Sequence, residues 1–236
     1  MDVLVTHTSR GAQAAKQATS TVPVLFTAVG DPIEAGLVSS LARPGGNLTG
    51  LTFFATEISA KRVELIKEAI PDMSRLAVLD NPDLPLMAII LAGVQRAASE
   101  LGLELVRIAV KGRDDIAAAI VTVARGRAEA LLIIEEPLTI SNARQIADLA
   151  LQNGLPMIGF PPQAEAGALM EYGVDLVDLY SRSAAFVDKI LKGTPPADLP
   201  IERAMKFEFT VNLKTAKALG IELPTSILLR ANEVLE

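Results

Sequence analysis

Short runs of apolar residues recur along this chain, each separated from the next by a stretch with helical periodicity. Residues 3–6, 22–27, 48–53, 76–79, 103–109, 130–134, 155–160 and 168–172 read as strands. Residues 13–18, 32–41, 56–70, 86–101, 116–125, 141–152 and 176–191 read as helices between or after them. A strand that is apolar throughout has to be covered on both faces. A helical crossover is the connection that lets the next strand lie parallel to it. The expected fold is therefore α/β, with parallel sheets flanked by helices. At 236 residues there is room for one large domain or two lobes.

Local signals place several element ends. Asp31 and Pro32 fit the N-cap and first position of the helix over 32–41. Ile58, Val63, Leu65, Ile66 and Ala69 give the helix over 56–70 an apolar stripe, and Pro71 ends it. Asp114 and Asp115 are candidate caps for 116–125. Near the end, residues 206–211 alternate as a half-buried strand does, and Asn212 is a good N-cap for the helix over 213–219. Gly220 fits a left-handed stop, and Pro224 opens a final helix.

Composition removes several function classes. The net charge is −6 and no basic patch is visible, which argues against nucleic acid as a partner. The absence of cysteine excludes disulfides, thiolate catalysis and cysteine-bound metal. His7 is the only histidine, so a zinc site of the usual kind and a serine–histidine triad both lack material. Gly45, Gly46 and Gly50 do not form a dinucleotide fingerprint, and no phosphate loop is present, so no cofactor is expected. No apolar stretch is long enough to span a bilayer. The opening MDVLVTHTS has neither a basic n-region nor a long apolar h-region, so no signal peptide is read. Taken alone, that opening places the chain in the cytoplasm.

Parallel α/β sheets bind ligands beyond the carboxyl ends of their strands. The loops there hold His7-Thr8-Ser9, Gly30-Asp31, Asp80-Asn81-Pro82, Glu135-Glu136-Pro137, Pro161-Pro162 after Phe160, and Gly173 after Tyr172. Thr8 and Ser9 at a helix start suit a carboxylate or phosphate; plain N-capping explains them equally well. Gly30 admits close approach of a ligand to the backbone, or serves a turn ahead of a cap at Asp31. Glu135 and Glu136 end a wholly apolar strand, where one carboxylate could meet an ammonium group or both could be solvated. Phe160 and Tyr172 could pack on a ligand or in the core.

The closing segment, residues 198–236, resembles the C-terminal signature of the ABC transporter substrate-binding proteins that include tryptophan- and tyrosine-binding members. The runs GAQAAKQATSTVPVLF, VGDPIEAGLVSSLARPGGNLTGLT, SAKRVELIKEAIPDMSRLAVL and AGALMEYGVDLVDLYSRSAAFVDKILKGTPPADLP extend the match over nearly the whole chain. The resemblance implies a type I periplasmic-binding-protein-like fold. It implies two lobes, residues 1–50 with 166–197 and residues 51–165 with 198–236, joined by hinge strands and closing on a small solute. Carried over by position, Thr8, Ser9, Gly30 and Asp31 would bind from the first lobe, and Asn81, Glu136, Pro137 and Phe160 from the second. Tyr172 and Gly173 would lie near the return crossing. An amino-acid-like ligand would place its carboxylate at the first lobe's helix starts and its ammonium at Glu135 or Glu136.

The aromatic-amino-acid binders carry a loop closer to Asp-Asn-Thr where this chain has Glu135-Glu136-Pro137-Leu138-Thr139, so tryptophan does not carry over as the ligand. The resemblance further implies an ABC permease as partner, a periplasmic or cell-surface location, no catalysis, and a first lobe that begins after its usual opening units. An incomplete lobe exposes strand edges, so self-association is expected. If Met1 is the native start, the second reading is a cytoplasmic ligand-sensing domain on the same fold.

Overall fold

The computed structural model describes residues 2–84 and 86–236. In chain order the elements begin with β1 (Leu4–His7), α1 (Thr8–Ala18), β2 (Val24–Val29), β3 (Leu48–Thr52), α2 (Ala55–Ala69), β4 (Arg75–Asp80) and α3 (Met87–Glu100). They continue with β5 (Glu104–Ala109), α4 (Asp115–Arg125), β6 (Ala130–Ile133), α5 (Pro137–Ser141), α6 (Ala143–Gln152), β7 (Met157–Gly159) and β8 (Met170–Val174). Last come α7 (Leu176–Leu191), β9 (Glu202–Arg203), β10 (Phe207–Asn212), α8 (Leu213–Leu219), α9 (Thr225–Arg230) and β11 (Glu233–Leu235). The expected mixed α/β class with parallel sheets flanked by helices is what forms.

The chain divides into two compact units, Met1–Ala55 with Val174–Phe207 and Thr56–Gly173 with Glu208–Glu236. The sequence reading divided the lobes after residues 50, 165 and 197. The observed divisions follow strand pairing: β8 pairs with β7, and β9 pairs with β3.

The first unit holds a four-stranded sheet in the order β1-β2-β3-β9, with each pair parallel. Every residue of β2 is buried, because its side chains alternate between two covered faces. Val24 and Phe26 pack with Ala12 and Ala15 of α1. Leu25 packs on the other face with Leu179, Phe186 and Ile190 of α7.

The second unit holds a seven-stranded sheet in the order β11-β10-β8-β7-β6-β4-β5. Ala77, Leu79, Leu131 and Ile133 on β4 and β6 pack against Ile116 and Ile120 of α4 and Ile146 of α6. The C-terminal caps lie where the sequence puts them. Asn212 Oδ1 accepts from Thr215 N at 2.9 Å, and Gly220 closes α8 with φ 68°.

Some expected elements differ. Residues 32–41 are a series of turns, not a helix. Asp31 Oδ1 does accept from Ile33 N and Glu34 N, at 2.9 and 3.0 Å, but Gly36 turns left-handed at φ 65° and stops propagation. Lys16 Nζ then donates to the freed carbonyls of Gly36 and Leu37, at 2.6 and 3.1 Å. The helix expected over 141–152 forms as α6 from Ala143 to Gln152, and a further short helix, α5, precedes it and ends at Ser141, one residue before the Asn142 junction. Asp114 makes no side-chain cap bond; Asp115 instead accepts from Lys111 N and Gly112 N. The short strands β9 and β11 carry too few residues to show a period.

Candidate functional site

In the first unit the candidate residues sit at the carboxyl ends of β1 and β2. Chain passes directly from β1 into α1 at Thr8, whose φ is 63°. His7 occupies the N-cap position without a side-chain cap bond, so the opening N–H groups of α1 are left for other acceptors. Thr8 Oγ1 reaches Gly11 N at 3.4 Å, and Ser9 beside it is half-buried. Tyr180 on α7 shares a hydrogen bond of 3.1 Å with His7 Nδ1.

At the end of β2 the register shifts between Phe26 and Val29, and Ala28 takes φ 53°. The Gly30 carbonyl that follows accepts from Ala55 N at 3.0 Å. A Cβ on Gly30 would lie 3.2 Å from that of Ala55, which leaves the backbone closely covered on that side. Asp31 is engaged in its own turn. Just past β3, Phe54 has φ 55°, and the Arg203 guanidinium lies 4.1 Å above its ring. Thr8, Ala28 and Phe54 thus place left-handed non-glycine backbone at three neighbouring strand ends. Strain of this kind persists where the surroundings fix it, and it clusters at ligand sites.

In the second unit a residue that sequence reasoning passed over organises the site. Arg62 lies in the middle of α2 and is 1% exposed. Its Nη2 meets Glu135 Oε2 at 3.2 Å, and its Nε donates to the Tyr172 carbonyl at 2.6 Å. The guanidinium carbon stands 5.8 Å from the centre of the Phe160 ring. A Cβ on Gly173 would fall 2.5 Å from Pro161 Cδ and 3.4 Å from Arg62 Nη2, so only glycine fits there without a shift. Burial pushes the Arg62 pKa down, and the Glu135 carboxylate opposes that shift. Burial also raises the phenol of Tyr172, whose ring stands edge-on to Phe209 at 6.3 Å. Glu135, Phe160, Tyr172 and Gly173 are therefore brought together around one cation.

The remaining candidates form a separate group. Glu136 is turned inward as the N-cap of α5. Its carboxylate accepts from Leu138 N at 2.9 Å and Thr139 N at 3.1 Å, while Thr139 Oγ1 accepts from Glu136 N at 3.2 Å. This reciprocal capping box accounts for Glu136, with Pro137 at the first helical position. Asn81 Oδ1 accepts from Asp83 N at 3.1 Å. Asn81 lines a narrow pocket with Glu136, Thr139 and the buried Asp80, whose carboxylate is paired with Arg107 at 2.8 Å.

Arg62 left a trace in the sequence. It falls four residues after Ile58 and four before Ile66, within the apolar stripe of α2, where a charge needs a buried partner. Asp80, at the end of an apolar strand, gave no comparable signal of burial.

Parallel sheets flanked by helices, in two units, make an α/β architecture of the type I periplasmic-binding-protein kind. The chain belongs to the family of ABC transporter substrate binding proteins, whose family model matches residues 1–235. It is 28% identical over 222 residues to a tyrosine-binding protein of Clostridioides difficile. That match takes in 94% of this chain and 64% of the relative's length.

Among solved structures, a conserved domain protein from Vibrio cholerae superposes with a TM-score of 0.92 at 30% identity, over 99% of this chain and 78% of that one. The ABC domain from Streptococcus pneumoniae in complex with L-tryptophan gives 0.91 at 27% identity, over 99% and 81%. A periplasmic binding protein/LacI transcriptional regulator from Alkaliphilus metalliredigens, complexed with D-xylulofuranose, gives 0.57 at 11% identity, over 88% and 74%, a likeness of fold alone.

Proposed function

We propose that this chain is the solute receptor of an ABC importer and that its ligand is an amino acid or a close analogue. The observation that carries the reading is Glu135. It stands just beyond β6 with Oε2 held by Arg62, and Oε1 has no hydrogen bond among the described residues. An open carboxylate oxygen at a strand end suits an ammonium group. The relatives support the same class, since one is named for tyrosine and another was crystallised with tryptophan.

In this reading Thr8 and Ser9, with the opening N–H groups of α1, take the ligand carboxylate, and Gly30 and Asp31 border it. Glu135 takes the ammonium. Phe160 and Tyr172 offer apolar surface, with Gly173 keeping the adjoining backbone close. Asn81, Glu136 and Pro137 shape the neighbouring loop. Binding drives closure only through a higher affinity for the closed form. The closed receptor then docks on the permease, in the periplasm or at the cell surface, and performs no chemistry on the solute. Among the described residues no helix is long and apolar enough to cross a membrane.

Calorimetric titration against amino acids, small organic acids and purines tests the proposal. Saturable binding of at least one amino acid is expected. Binding confined to purines or to acids without an amine would overturn the ligand class.

A further inference from the structure

Arg62 is the largest fully buried side chain among the described residues, and simple packing does not require a guanidinium there. A buried cation persists only where its charge and its donors are met. Glu135 and Phe160 lie just past the carboxyl ends of β6 and β7, and the Tyr172 carbonyl belongs to the middle residue of β8. The planar fork allows one edge to hold a carboxylate while another holds a carbonyl, which the point charge of a lysine does not reproduce.

We propose that Arg62 is a positioning residue for ligand recognition: it fixes Glu135 through Oε2 and so presents Oε1 to a primary ammonium group. The inference rests on the amino-acid reading above and deepens it. Free in a loop, a glutamate samples several rotamers, and ordering it would oppose binding. Pairing with a buried and immobile guanidinium removes that cost before the ligand arrives. The pair also settles charge. Arg62 and Glu135 together are neutral, so a simple amine leaves an uncompensated positive charge at the site. An α-amino acid brings its own carboxylate and remains neutral overall. The ligand class selected is therefore the zwitterion, over both the plain amine and the deaminated acid.

The experiment compares L-tyrosine with tyramine and 3-(4-hydroxyphenyl)propionate, and L-tryptophan with its two counterparts, by calorimetry. Glu135→Gln alone would strand Arg62 without a counter-charge, so the informative variant neutralises both partners: Arg62→Met with Glu135→Gln. Melting curves and circular dichroism establish that it folds. The unsubstituted protein is expected to prefer one of the amino acids over both analogues by about tenfold or more, the discrimination a dedicated polar contact supplies. In the folded double variant the preference over the deaminated acid is expected to vanish. Arg62→Lys is expected to weaken amino-acid binding while retaining part of that preference.

A folded double variant that keeps the full preference overturns the role given to Arg62 and leaves the amino-acid reading standing. If neither tyrosine nor tryptophan binds, the comparison is made with whichever amino acid the titration finds and its own amine and deaminated acid; binding of no amino acid overturns that reading and this inference with it. If the double variant does not fold, Arg62→Lys decides: unchanged affinity at an unchanged melting temperature overturns the inference.

Discussion

Glu171 and Glu129 show how single carboxyl groups in this protein pull stability in opposite directions with pH. Glu171 is 4% exposed in β8, and its Oε2 accepts from Ala164 N at 2.6 Å. Burial pushes its pKa up, and nearby Glu208 and Glu165 add to the shift. The folded state therefore holds this proton more tightly than the unfolded chain does. Its contribution to stability is full below the ordinary value of 4.5 and is lost as pH rises through the folded value. Glu129 accepts from Ser74 N and Arg75 N at 2.7 and 2.8 Å, which lowers its pKa, so its contribution is lost as pH falls. With Glu171→Gln as reference, the stability of the native chain relative to the variant is expected to decline as pH is raised from 4.5 toward neutrality. Urea unfolding at a series of pH values measures this, and a constant difference would refute it.

At the scale of elements, α5 and β1 make distinct claims. The five residues of α5 cannot sustain a helix through propensity alone, and the capping box is what sets its start. Glu136→Ala removes two hydrogen bonds to backbone N–H groups. It is expected to cost about 1 kcal/mol in urea unfolding, as loss of an N-cap does. The variant should leave the Arg62–Glu135 pair, and hence ligand preference, intact. A complete loss of binding at full stability would instead give Glu136 a direct ligand role.

Strand β1 lies at an edge of the four-stranded sheet, and Val5 on it is 54% exposed. Where no further strand pairs with it, an edge with an apolar side chain is a template for pairing with another chain. Concentration-dependent self-association is expected in light scattering, and Val5→Lys is expected to reduce it. A monomer at all concentrations would show that the edge is inert.

The scale of the whole molecule is where ligand and fold are linked. A solute that binds only the folded form adds about 2.7 kcal/mol when present at about a hundred times its Kd. The melting temperature is thus expected to climb with the concentration of a binding amino acid, and scanning calorimetry reads the rise directly. No rise with any amino acid would contradict the receptor proposal.

Sequence alone determined the alternation of strand and helix, the caps at Asn212 and Gly220, and the family, because each depends on residues close together in the chain or on long matching strings. It overreached at residues 32–41, where the Asp-Pro start was read correctly but the left-handed turn at Gly36 was not. Only the tertiary structure decided that β8 joins the seven-stranded sheet, that Glu136 turns inward, and that Arg62 is the hub of the second unit's strand ends. The physical reason is distance along the chain. Local propensity acts over a few residues, whereas the partners of Arg62 lie 73 and 110 positions away. A buried charge selects its partner only after packing has brought the candidates within reach.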